Sequence, residues 1–150
     1  MASLKFSGGA ALEAKLREIA NKAGDGSTVR VGFLEDATYP DGASVAYVAA
    51  VNEFGNPEHN QPPRAFFRNM IEEKKDGWGS ALGKVAVAND YDIDKTLATM
   101  GEGIKGQLQA SIKQLTDPEL AESTVARKGF DKPLVDTGHM MNSVDFEVDT

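Results

Sequence analysis

The chain contains no cysteine, which excludes a disulfide framework, a thiolate metal site and a cysteine nucleophile. It has only two histidines, His59 and His139. Neither has a His or Glu three or four residues away, so the spacing of a helical zinc site is absent. No apolar run approaches the ~20 residues of a transmembrane helix, and "MASLKFSGGA" lacks the apolar segment of a signal peptide. The expectation is a chain that neither enters a membrane nor is exported. Basic charge is also in short supply, with 16 Lys+Arg against 23 Asp+Glu and a net charge of −7. Residues 1–50 carry five basic and six acidic side chains, 51–100 six and eight, and 101–150 five and nine. Phosphate neutralisation supplies most nucleic-acid affinity, so sequence-specific DNA binding is not expected. Arg64 and Arg68 form the one tidy basic pair.

What is present reads as a single domain over residues 1–150, with 41% hydrophobic and 26% charged residues. Leu12, Leu16, Ile19, Ala20 and Ala23 make the stripe of an amphipathic helix that Gly24 and Gly26 end. In "TVRVGFLE", Val29, Val31 and Phe33 alternate with polar or small residues as in a half-buried strand. Pro40-Asp41-Gly42 is a turn, and Ser44 caps a helix "SVAYVAAVNEFG" that closes on Gly55, with Val45, Val48, Ala49 and Asn52 on one face. "NPEHNQPP" reads as a loop that leads past Pro62-Pro63 into a helix with Phe66, Phe67, Met70 and Ile71 on its apolar face. Residues 78–89 read as further helix interrupted by glycine. The longest element runs from about 93 to 115, where Ile93, Leu97, Met100, Ile104, Leu108, Ile112 and Leu115 recur at threes and fours. Gly101, Gly103 and Gly106 inside it are read as a face for another helix. Val144, Phe146 and Val148 alternate with acidic residues in a final edge strand. The fold expected is α+β, with a mixed or antiparallel sheet of a few strands packed against helices.

Asp136-Thr137-Gly138, preceded by Leu134 and Val135, has the form of an aspartic-protease catalytic loop. That chemistry needs two carboxylates sharing a proton. No second such loop occurs, and only fourteen residues follow Asp136. The tripeptide is read instead as a turn, with Asp136 and Thr137 as helix caps and Gly138 as the permissive residue ahead of "HMMNS". Glu53 at a helix C-terminus opposes the helix dipole and calls for a cationic partner, which Arg64 or Arg68 could supply through a bidentate bond. A small hydrolase using Asp136 and Glu53 is the alternative function. "GEGIKG" follows no strand, so it is not a phosphate loop.

Three segments together resemble the signature blocks of the tailed-phage minor tail, or tail-completion, family, which includes the lambda-type tail-completion protein. Asn52, Glu53, Phe54 and Gly55 match the first block. Pro62, Pro63, Arg64, Phe66, Phe67 and Arg68 match the second, with Gln61 and Ala65 as departures. Pro133, Leu134, Asp136, Thr137, Gly138, Met140 and Ser143 match the third. The resemblance implies a non-enzymatic structural protein without cofactor or metal, assembled in the host cytoplasm into the neck of the virion. It further implies a homo-oligomeric ring in the virion that contacts tail terminator, tail tube and head connector proteins, related proteins being able to stay monomeric before assembly. The three blocks are then expected to be shaped loops, with Glu53, Arg64 and Asp136 converging at one end of the domain as a brace or a subunit contact. An acidic last third would let DNA pass such a ring without being gripped.

Overall fold

Strand β1 (Thr28–Phe33) pairs antiparallel with strand β2 (Val144–Asp149), more than a hundred residues further along the chain. The computed structural model describes residues 8–24, 26–115 and 138–149. Among them the element order is α1 (Gly9–Ala23), β1, α2 (Val45–Phe54), a 3-10 turn (Pro57–His59), α3 (Phe66–Ala88), α4 (Ile93–Gln114), α5 (His139–Asn142) and β2. The architecture is α+β, a two-stranded antiparallel sheet among helices.

Register follows from the alternation of side chains. Phe33 lies opposite Val144, Val31 opposite Phe146 and Val29 opposite Val148, so the apolar residues share one face. On the other face Arg30 bridges Glu147 at 3.2 Å and Asp149 at 2.7 Å. The core gathers Val45 and Ala49 of α2, Phe66 and Met70 of α3, Leu108 and Ile112 of α4, Met140 of α5 and Val144 of β2. Helix α4 is the central element, packing on α3, on both strands and on α5. Its start is capped by Asp92, whose side chain accepts from the Lys95 N–H.

Two expectations about helices need correction. Residues 66–88 form one uninterrupted helix rather than two pieces; a glycine costs about 1 kcal/mol against Ala in a helix, too little to break a helix whose neighbours are packed. The glycines of α4 do not form one helix-packing face. A Cβ at Gly101 would stand 2.5 Å from the Phe146 ring of β2, whereas Gly103 and Gly106 have nothing within 4 Å. Gly101 therefore admits a strand's aromatic ring, and the other two lie in the open groove between α3 and α4 beside Met70 and Gln107.

The inward face of α2 also differs in detail. Val45, Ala49 and Glu53 are buried, while Val48 and Asn52 are only partly so. No helix among the described residues is long and apolar enough to cross a membrane.

Candidate functional site at the elbow between α2 and α3

Helix α3 starts without a capping side chain of its own, because Ala65 occupies the cap position. The first N–H groups of a helix have no partner within it, so acceptors must come from elsewhere. Glu53, thirteen residues before Phe66, provides them. One carboxylate oxygen accepts from the Phe67 N–H at 2.9 Å. The other accepts from the Arg68 N–H at 3.1 Å and from Arg68 Nε at 2.7 Å. Arg68 Nη2 also donates to the Glu53 backbone carbonyl at 2.9 Å. The single guanidinium thus holds both the carboxylate and the C-terminal carbonyl end of α2, and stands 5.1 Å over the Phe54 ring. The charge on Glu53 that opposes the dipole of α2 favours the dipole of α3.

The intervening loop is built to bring these groups together. Asn56 and Gln61 exchange both backbone hydrogen bonds at 2.9 Å around the 3-10 turn. The Gln61 amide donates to Asn52 Oδ1 at 3.2 Å, and the Arg64 N–H donates to the Asn52 carbonyl at 2.7 Å. Gly55 has φ 77°, and a Cβ there would come within 2.8 Å of both the Gln61 oxygen and the Pro63 nitrogen. Only glycine fits that position. Pro62 and Pro63 are exposed on the loop's outer side.

Of the two arginines, Arg68 is the partner of Glu53. Arg64 is buried at 9% exposure, and its Nε has no hydrogen-bond partner. Burial pulls its pKa below the usual arginine value, yet a guanidinium still stays charged. Phe66 fills the core at 1% exposure, and Phe67 lies against Gly32 of β1. Ser111 Oγ of α4 donates to the Phe66 carbonyl at 2.7 Å, locking the elbow to the central helix.

The third block meets the molecule elsewhere. Gly138, at φ 73°, is itself the residue at the start of α5 and supplies no capping side chain. His139 Nε2 lies 2.8 Å from the Thr38 carbonyl, and its ring lies 4.8 Å from that of Tyr39. Thr38 bridges Ser44, the N-cap of α2. The start of α5 therefore sits at the opposite end of α2 from Glu53 and Arg68. Pro133, Leu134, Asp136 and Thr137 lie outside the described residues.

Chemically the elbow is a clamp. Both Glu53 oxygens are occupied by donors, and no group of three or more His, Asp or Glu among the described residues could hold a metal. The sequence pointed to a Glu–Arg pair but not to the capping of α3. The readable signal was a helix that follows two prolines with no Ser, Thr, Asp or Asn at its start. Comparison of the chain with protein-family models, with curated proteins and with solved structures finds no match.

Proposed function

We propose that the chain is a structural protein of a tailed-phage neck, completing the tail and joining it to the DNA-filled head as a ring. Its partners in this reading are tail terminator, tail tube and head connector proteins, and it uses no cofactor. The observation that carries the proposal is the three-block resemblance, strengthened by how the first two blocks act on each other. Glu53, Gly55, the Pro62-Pro63 loop and Arg68 form one interlocked elbow, a rigid shape of the kind that presents a loop to a neighbour.

The test is deletion of the coding segment from the phage or prophage that carries it, followed by electron microscopy of lysates. Full heads separate from tails, or tails of uncontrolled length, are expected, with rescue by the wild-type chain supplied in trans. Intact, infectious virions without the chain would overturn the reading.

A further inference from the structure

The described residues contain two buried charges, Glu53 at 5% and Arg64 at 9% exposure, and they do not pair with each other. Glu53 commits both carboxylate oxygens to the start of α3 and to Arg68, whose side chain is 55% exposed. Arg64 is left without an ion pair among the described residues, and its Nε is fully enclosed with no acceptor. Burial is the one influence that moves its pKa, and it moves it down; no carboxylate among them stands near enough to raise it. One member of a charge pair held in an interior without the other is a costly arrangement. An incoming anion would relieve it.

The base of this side chain is held firmly by the elbow. The Arg64 N–H donates to the Asn52 carbonyl at 2.7 Å, and the Arg64 carbonyl accepts from the Phe66 N–H at 2.8 Å. Asn52 Oδ1 in turn accepts from the Gln61 amide at 3.2 Å. Nε is the one Arg64 nitrogen that is both enclosed and unpartnered; the two Nη ends, which make no hydrogen bond among the described residues, are open to solvent. A fixed stem thus ends in a planar fork whose donors are unused.

We propose that Arg64 is a receptor for a carboxylate from outside the chain, taken through two parallel N–H donors of its guanidinium. Charge selects the class. A carboxylate cancels the single charge of Arg64 and matches the fork in shape. A phosphate dianion would call for a second cation, and Arg68, the other arginine of the elbow, is committed to Glu53. The carboxylate is either a free ion or a side chain of a second copy, and the chemistry of capture is the same for both. The second source rests on the assembly proposed above, whereas the site itself does not.

The test is proton–nitrogen NMR of the full chain, reading the arginine Nε–Hε signal that Arg64→Lys and Arg64→Met variants both lack. Sodium acetate, against sodium chloride at equal ionic strength, is expected to shift that signal saturably in the millimolar range while the Arg68 signal stays in place. Inorganic phosphate should bind several-fold more weakly. Acetate should also raise the thermal midpoint of wild type but not of Arg64→Met, because a ligand that binds only the folded chain stabilises it. Two arms separate the sources. A signal that also moves as the protein is concentrated, in an association that acetate reverses, assigns the carboxylate to a second copy. An acetate response that is the same at every protein concentration assigns it to a free ion. No shift beyond the chloride control, or one shared equally by the surface residue Arg30, overturns the proposal. Phosphate binding more tightly than acetate overturns it too, as does an acetate response seen only in an Asp136→Asn variant, since the chain would then fill the site itself.

Discussion

Helix α1 and the elbow between α2 and α3 are each held by a carboxylate–cation contact, but the two contacts work differently. At the elbow the Glu53 side chain is 7% exposed and accepts two backbone N–H bonds besides its Arg68 pair. At α1 the pair is Lys22–Asp90 at 3.0 Å, with Asp90 75% exposed, and α1 buries no residue. An ion pair in water contributes little. A carboxylate that also satisfies orphan backbone donors, away from water, is costly to remove. The comparison teaches that distance and charge do not rank these contacts. What ranks them is how many groups would be left unsatisfied.

The largest expected effect is therefore at the elbow. Glu53→Ala should destabilise the fold by about 3 kcal/mol, since it removes a cap and a charge-assisted pair together; urea unfolding measures it, and a loss no greater than that of a surface substitution would erase the contrast. Next comes the pair of glycine outcomes in α4. Gly101→Val should cost about 2 kcal/mol by driving side-chain atoms into Phe146, whereas Gly106→Ala should stabilise by about 0.5–1 kcal/mol. Thermal unfolding of the two variants, shifting in opposite directions, checks both.

A smaller effect sharpens the reading of Arg64. Its buried Nε is unpartnered, so Arg64→Met should leave stability unchanged or raise it by about 1 kcal/mol, again by urea unfolding. A clear loss would mean that the guanidinium is braced after all, as the sequence suggested.

The smallest effect belongs to the tether of α1. Asp90→Asn should leave the unfolding midpoint unmoved while amide exchange in residues 9–23 speeds up several-fold. High salt should do the same to wild type. Lys22 holds the Asp90 carboxyl below its ordinary pKa, and Asp90 with Glu18 raises Lys22 above its own. The aspartate's contribution is present above its ordinary range and is lost as pH falls through its lowered value. The lysine's is present below its ordinary range and is lost as pH rises through its raised value. Exchange in α1 should thus be slowest across the broad middle of the pH scale and accelerate at both extremes.

Much of the fold was legible because periodicity is local. The α4 stripe from Ile93 to Ile112, the Ser44 cap and the alternation in both strands each depend on near neighbours in the chain. The site was legible only in part. Glu53 needing a cation could be read from its place at a helix end, but the choice of Arg68 over Arg64 could not. Both arginines follow the same two prolines, and the direction of each is set by which side of α3's first turn faces the core.

By itself, then, the sequence determined the helices and strands, the acidic balance and the presence of a Glu–Arg partnership. Tertiary structure alone decided that Glu53 caps α3, that Gly101 makes room for Phe146 and that the start of α5 sits at the far end of α2. Hydrophobic patterning and capping act within a few residues, where the chain's own geometry fixes who meets whom. Pairings between residues fifteen, forty-five and a hundred and one positions apart arise only when the whole core packs, because no local rule constrains such distances.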